Sequence, residues 1–313
     1  MKTFIFEPIA PEALAYAQKH LEVVSWDDPA IKNYAECEAI IVRASVYITP
    51  EMLSQMPKLR IVAKHGVGVD NIDLPTCKKR GIRVTNTPRA NMNSVAGLIM
   101  GLIFNCTRRI TQAHLAALNG LEKSAPLALS GYELDGRKLG LIGLGKIGTI
   151  VAQKLMAAFD MQVTVYDPYA TAKQCQQLGI RKTDSVDELC RECDIISISV
   201  PLTKETRNMI DAPQLALMKP TTVLINTSRG GIINEAALAA ALKAHKIWGA
   251  ALDVFEHEPP SKDNPLFACD NFVGTPHSGA NTHDALVRMG MGAVDEIIRC
   301  AKGEAALAEV KIK

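Results

Sequence analysis

Apolar positions along this chain fall into short, β-branched runs separated by amphipathic stretches. Runs at 3–6, 39–42, 61–64 and 83–85, and again at 139–142, 162–166, 195–200, 222–226, 249–252 and 271–274, read as strands. Helical spacing lies between most of them, at 11–20, 50–55, 75–80, 147–159, 172–178, 185–192, 212–217 and 235–244. Nearly continuous apolar strands alternating with helices predict an α/β fold, with parallel sheets covered by helices on both faces. The pattern needs two sheets, one ending before about Pro88 and one starting near Leu139. A long helical stretch, 94–119, is expected between them, capped by Asn93 or Ser94, and a last helix is expected over 283–301.

The most specific local pattern opens the second sheet. Gly143, Gly145 and Gly148 form G-x-G-x-x-G between an apolar run and a helix. The next apolar run ends in Asp167, nineteen residues past the last glycine. This is a dinucleotide-binding βαβ unit: the first glycine permits a tight turn, the second lets a pyrophosphate approach the backbone, and the third lets helix and strand pack closely. Asp167 is placed to accept hydrogen bonds from ribose hydroxyls and to repel a 2′-phosphate. No arginine follows it directly, so NAD is expected rather than NADP.

Polar residues then gather where strands of this second sheet end, which is where open α/β sheets bind ligands. Asn226-Thr227-Ser228-Arg229-Gly230-Gly231 follows one strand, Asp253-Val254-Phe255-Glu256-His257-Glu258-Pro259-Pro260 the next, and Thr275-Pro276-His277-Ser278-Gly279 the last. Each alone also suits a surface loop. Together they supply what hydride transfer to or from a hydroxy acid requires. A guanidinium grips the carboxylate, a histidine takes or returns the hydroxyl proton, and a carboxylate raises that histidine's pKa and fixes its tautomer.

Composition narrows the partners. A net charge of +2 over 313 residues supplies no basic field for nucleic acid or membrane. The longest apolar stretch, 95–106, is too short to cross a bilayer, and no targeting peptide opens the chain. Eight scattered cysteines suggest a reducing cytoplasm rather than a disulfide framework. Cys190 and Cys193 lack the further ligands of a zinc site, so no metal is expected.

In order and spacing these motifs, with Gly66-Val67-Gly68-Val69-Asp70-Asn71-Ile72-Asp73, Asn86-Thr87-Pro88 and Pro201-Leu202-Thr203, resemble the D-isomer-specific 2-hydroxyacid dehydrogenases. The similarity is closest to their phosphoglycerate dehydrogenase branch and covers essentially the whole chain. The resemblance implies two Rossmann-like domains: a discontinuous, flavodoxin-like substrate domain (1–93 with 286–313) and an NAD-binding domain (94–285). It implies catalytic roles for Arg229, Glu258 and His277, with Glu258 preferred over Glu256 because it immediately precedes proline. Lys146 and Ile147 match pyrophosphate contacts. Pro201, Thr206, Thr227, Ser228 and Gly279 match cofactor positions, and Asp253 matches the partner of the nicotinamide carboxamide. On the substrate side it implies the amides of Val67 and Gly68 for the carboxylate, joined by Arg229, and the cations Arg43 and Lys64 for a second anionic group.

The expected function is hydride exchange between NAD and a small anionic D-2-hydroxy acid such as 3-phosphoglycerate, by a homodimer joined through the NAD-binding domain. A glyoxylate or hydroxypyruvate reductase, another dehydrogenase such as one for sulfolactate, and a non-catalytic NAD-sensing scaffold are the alternatives. Gly97 stands where the family often has an acid, which suggests altered packing or dimer contacts there. The chain ends at Lys313, so serine feedback through a C-terminal regulatory domain is not expected.

Overall fold

The computed structural model describes residues 1–26, 34–120 and 129–311. The chain forms two compact units, Met1–Ser94 with Ala280–Lys313, and Val95–Gly279.

The first unit carries strands β1 (Lys2–Ile5), β2 (Glu22–Ser25), β3 (Ala39–Val42), β4 (Ile61–Lys64) and β5 (Arg83–Thr85), ordered β2-β1-β3-β4-β5 and all parallel. That order is the flavodoxin-like one. Side chains alternate across the sheet. Ile5, Ile41, Ile61 and Ala63 pack under the helices Pro11–His20 and His283–Ala301, while Phe4, Ile40, Val62 and Val84 pack with Leu53 and Cys77 on the other face. Helix His283–Ala301 starts at Thr282, whose hydroxyl accepts from the Ala285 amide.

The second unit carries β6 (Lys138–Ile142), β7 (Gln162–Tyr166), β8 (Arg181–Thr183), β9 (Ile195–Ile198), β10 (Val223–Asn226), β11 (Gly249–Leu252) and β12 (Phe272–Gly274). They form one parallel sheet, ordered β12-β11-β10-β9-β6-β7-β8. The strand order reverses between β6 and β9, and the carboxyl ends beside that switch point are where a doubly wound sheet receives a nucleotide. Apolar clusters cover both faces, one around Leu139, Leu141, Val151 and Ile99, the other around Ile142, Ile196, Leu224 and Leu238.

Two expectations need correction. Strands β2 and β8 were not anticipated. Each pairs with a single neighbour at a sheet edge, and their sequences, Glu-Val-Val-Ser and Arg-Lys-Thr, carry little of the apolar run that marks a central strand. The helix expected over 94–119 begins earlier and is broken in two, Met92–Arg108 and Ile110–Leu118. Arg109 takes φ 52° at the break. There the indole N–H of Trp248 donates to the Cys106 carbonyl (3.0 Å), the Arg109 guanidinium lies 4.2 Å from the Trp248 ring centroid, and Asn105 caps the second helix through the Thr111 amide (2.9 Å). At Gly97 a Cβ would meet nothing within 4 Å among the described residues, so of the two expectations for it, altered packing and dimer contacts, the packing one finds no support within the chain.

Candidate active site

The glycine turn after β6 has the shape its sequence requires. Gly143 takes φ 99°, and a Cβ there would lie 2.7 Å from the Ser199 carbonyl oxygen, so both conformation and space exclude a side chain. Gly145 caps the helix Lys146–Phe159, and a Cβ on it would meet nothing within 4 Å. Gly148 is different again: its Cβ would fall 2.5 Å from the Gly143 carbonyl oxygen, so helix and turn touch through backbone. Turn, open approach and close packing are thus divided among the three glycines as a pyrophosphate would need, and the first-turn amides and positive helix end would favour it. Lys146 and Ile147 are the first two residues of that helix. At the end of β7, the Asp167 carboxylate accepts from the Leu144 amide (2.8 Å) and the Tyr169 amide (2.8 Å), which pins it beside the turn. These residues fit an NAD molecule.

Next along the sheet, Pro201 and Thr206 form one turn, in which the Thr206 hydroxyl donates to the Pro201 carbonyl (2.7 Å). Asn226, buried at the end of β10, organises the segment bearing Thr227, Ser228 and Arg229. Its Oδ1 accepts from the Ser228 amide (3.0 Å) and hydroxyl (2.6 Å), and its Nδ2 donates to the Arg229 carbonyl (2.8 Å). Gly230 then lies directly on the following strand-end loop. A Cβ there would sit 1.9 Å from the Phe255 carbonyl oxygen, so only glycine lets the Arg229 loop and the Glu258 loop meet backbone to backbone.

Asp253 is the hub of the site. It is 1% exposed at the end of β11, and its carboxylate accepts from the Thr275 hydroxyl (2.6 Å), the Ser278 amide (2.7 Å) and hydroxyl (3.2 Å), and the Gly279 amide (2.8 Å). Its carbonyl accepts from the His277 amide (2.8 Å). These bonds clamp the segment after β12 on both sides of His277, which takes φ 50°, a left-handed conformation uncommon outside glycine. The bonds supply what that strain costs.

His277 Nδ1 and Glu258 Oε2 are 2.7 Å apart, and Glu258 Oε1 accepts from the Phe255 amide (3.1 Å). Glu256 turns elsewhere, its Oε1 accepting from the Glu235 amide (3.2 Å). The hydrogen bond to Glu258 raises the His277 pKa above its ordinary value against the opposing effect of burial, with the charges of Glu258 and Asp253 adding and that of Arg229 subtracting. Burial pushes the Glu258 carboxyl up. Its bond to His277, the charge of that ring, the Phe255 amide and Arg229 outweigh burial and leave the carboxyl below the ordinary range. An ionised carboxylate only accepts, so Nδ1 carries the hydrogen and Nε2 is the ring atom left for proton exchange.

The first unit holds the remaining residues. Lys64 is 6% exposed, and its ammonium donates to the Arg43 carbonyl (2.5 Å) and Asn71 Oδ1 (2.5 Å). The Arg43 guanidinium donates to the Pro8 carbonyl (2.6 Å). Both cations brace the ends of β3 and β4. The loop after β4 is tied to Thr87 and Asn86: the Thr87 amide donates to the Gly66 carbonyl (2.8 Å) and Asn86 Nδ2 to the Val67 carbonyl (2.8 Å). Neither the Val67 nor the Gly68 amide donates to an acceptor among the described residues. Among those residues no cluster of ligands suits a metal, and Cys190 and Cys193 are buried thiols pushed up to about 12.

The sequence reading overlooked two residues, Asn226 as organiser of the arginine loop and Glu235. Asn226 could have been found from the Asn-Thr-Ser triplet at a strand end, an Asx-turn pattern. Glu235 reads locally as an ordinary first-turn helix acid.

A doubly wound nucleotide-binding unit whose neighbouring strand ends carry a histidine–glutamate pair and an arginine loop defines an α/β oxidoreductase class. Comparison with known proteins gives the family. Residues 100–279 match the D-isomer specific 2-hydroxyacid dehydrogenase, NAD binding domain. The chain is 38% identical over 310 residues to a D-3-phosphoglycerate dehydrogenase of Methanocaldococcus jannaschii, covering 98% of this chain and 58% of that protein. It is 40% identical over 290 residues to a hydroxypyruvate reductase of Thermotoga maritima, covering 92% and 91%. Among solved structures, a D-lactate dehydrogenase of Aquifex aeolicus complexed with NAD and lactic acid superposes with a TM-score of 0.82 at 32% identity, over 97% of this chain and 96% of that one. The chain belongs to the D-isomer-specific 2-hydroxyacid dehydrogenase family, with NAD as its cofactor. It spans little more than half the length of the phosphoglycerate dehydrogenases it matches.

Proposed function

We propose that the protein exchanges hydride between NAD and C2 of a small D-2-hydroxy acid. The observation that carries this reading is the 2.7 Å pair of His277 and Glu258, held at strand ends of the same sheet that bears the glycine cradle. NAD would be held by Gly143, Gly145, Lys146, Ile147 and Gly148 at the pyrophosphate and by Asp167 at the ribose. Pro201, Thr206, Thr227, Ser228, Asp253 and Gly279 would lie toward the nicotinamide. When bound, it supplies the hydride acceptor in oxidation and the donor in reduction. His277 Nε2 takes the C2 hydroxyl proton as the alcohol becomes a ketone and returns it in the reverse direction. Glu258 holds Nδ1–H and stabilises the imidazolium, and Arg229 grips the carboxylate and polarises the C2 oxygen. In the first unit, the unpartnered amides of Val67 and Gly68 suit a substrate carboxylate.

Relatives divide between phosphoglycerate dehydrogenases and reductases of glyoxylate and hydroxypyruvate. A phosphorylated substrate such as 3-phosphoglycerate would engage Arg43 and Lys64. A second reading, reduction of hydroxypyruvate or glyoxylate, is favoured by Lys64 being buried and bonded to Asn71 and the Arg43 carbonyl. An NAD(H)-coupled assay across D-3-phosphoglycerate, hydroxypyruvate, glyoxylate, D-lactate and sulfolactate decides. Turnover of 3-phosphoglycerate with a KM that rises on charge reversal at Arg43 and Lys64 supports the first reading. Turnover of the small keto acids alone supports the second. Tight NAD binding without turnover of any of them would remove the dehydrogenase reading in favour of an NAD-sensing scaffold.

The assembly we propose is a homodimer through the second unit. Helix Ile110–Leu118 has no buried residue and exposes Ile110, Leu115 and Leu118, a display that usually marks a contact surface. All eight cysteines are free thiols, which suits a cytoplasmic location. No helix among the described residues is long and apolar enough to cross a membrane.

A further inference from the structure

Glu235 is the first residue of the helix Glu235–Lys243, whose cap is already supplied by Asn234 accepting from the Ala237 amide (3.1 Å). A helix start so capped needs no second acid, yet Glu235 is 9% exposed and fully engaged. Its Oε1 accepts from the Glu256 amide (2.5 Å) and its Oε2 from Asn264 Nδ2 (2.7 Å), while its own amide donates to Glu256 Oε1 (3.2 Å). The two glutamates therefore exchange backbone donor for carboxylate reciprocally, and a single side chain spans residues 256 to 264. Burying a carboxylate is costly unless its oxygens are satisfied, and here both donors come from the segment that carries Glu258 rather than from the helix.

Packing anchors the segment at its start, where Phe255 is buried against Phe267 and Phe272 and its carbonyl abuts Gly230, but not beyond it. Glu256, His257, Glu258 and Pro259 are all exposed. A cavity of about 350 Å³, lined in part by Arg207, Asn234, Glu256 and His257, runs along one side. From Glu256 to Pro259 packing therefore restrains the backbone weakly, and hydrogen bonds set its position. The Phe255 amide is held by Glu258 itself, and the next amide, that of Glu256, is held by Glu235. A shift of the Glu256 amide would carry the Glu258 carboxylate away from His277.

The geometry points to Glu235 as a positioning residue that keeps Glu258 at hydrogen-bonding distance from His277, acting through the 255–264 segment. This rests on the reading of His277 and Glu258 as the acid–base pair.

The test is a double-mutant cycle on the full chain with NAD. Glu235→Ala, Glu235→Gln, Glu258→Gln and the combinations with Glu258→Gln are compared for kcat, KM, NAD affinity and the pH dependence of kcat/KM. The His277 ring is titrated by NMR in parallel. In the wild-type background Glu235→Ala lowers kcat by roughly 10-fold and moves the His277 titration down toward the ordinary histidine value. NAD affinity stays within about 3-fold, and Glu235→Gln, which keeps one acceptor oxygen, falls between. In the Glu258→Gln background Glu235→Ala adds less than about 2-fold, because coupled residues are not additive. Equal loss in both backgrounds would show that Glu235 acts only on general stability, and an unmoved His277 titration would show that it does not act on the pair. Either result overturns the proposal. Where Glu235→Ala does not fold, Glu235→Gln carries the same comparison. Wild-type turnover in Glu258→Gln would instead overturn the acid–base reading, and this inference with it.

Discussion

His277 combines an unusual backbone with a committed ring nitrogen: φ is 50° and Nδ1 belongs to Glu258. Its raised pKa lies above the ordinary 6.5, and Glu258 lies below the ordinary 4.5. The pair's contribution to folding is complete between those two ordinary values. It is lost as pH rises through the elevated histidine value, and also as pH falls through the depressed carboxyl value. Under the proposed function, catalysis should follow the same titration. Oxidation needs neutral Nε2, so kcat/KM for the hydroxy acid should climb through a limb above pH 6.5, and reduction of the keto acid should fall through it. Glu258→Gln should move that limb to lower pH, and a limb that stays in place would remove the pair's role. His277→Ala should lower kcat by roughly 100- to 10,000-fold with little change in NAD affinity, measured by turnover and by calorimetry. Asp167 is fixed by the Leu144 and Tyr169 amides, and under the proposed function it would govern the choice of cofactor. Asp167→Ala should bring NADP within reach of NAD in kcat/KM, and unchanged discrimination would mean another residue excludes the 2′-phosphate.

Among elements, the turn after β6 and the segment after β12 carry the most constraint. Gly143→Ala places a Cβ 2.7 Å from the Ser199 oxygen at φ 99°. It should cost about 1–3 kcal/mol of stability and weaken NAD binding, checked by denaturant unfolding and calorimetry. The glycine pattern was legible from sequence because every participant in the turn lies within a few residues. The Asp253 clamp was not, because its donors, Thr275, Ser278 and Gly279, are more than twenty positions away. Edge strands β2 and β8 were illegible for a related reason. Their identity comes from one neighbouring strand, while their own sequences carry at most two apolar residues in a row. Helix Met92–Arg108 stops where Trp248, far along the chain, takes a helix carbonyl.

On the scale of the whole molecule, His65 makes the first unit acid-sensitive. It is 4% exposed at the end of β4, and its Nε2 lies 3.2 Å from the Leu286 carbonyl of the last helix. Burial, with the charge of Arg43, lowers its pKa to about 4. The unfolded chain takes up that proton below pH 6.5 and the folded chain only near 4. Stability should therefore be unaffected by this group at higher pH and fall as pH drops from 6.5 to 4, by roughly 3 kcal/mol in all. His65→Asn should flatten that part of the urea midpoint against pH. In the second unit, Leu115→Glu with Leu118→Glu should convert the proposed dimer to a monomer in light scattering while each unit remains folded, since neither side chain is buried.

The sequence by itself determined the α/β class, the cofactor and the family, because periodicity, the glycine turn and the order of motifs are written in neighbouring residues and survive without coordinates. Tertiary structure decided what depends on residues brought together from distant positions. It put Glu258 on His277 and sent Glu256 to the helix start at Glu235. It also turned Lys64 inward onto Asn71 and the Arg43 carbonyl. A charged side chain carries no mark in its own segment of which distant partner will hold it, and only the packed fold supplies that partner.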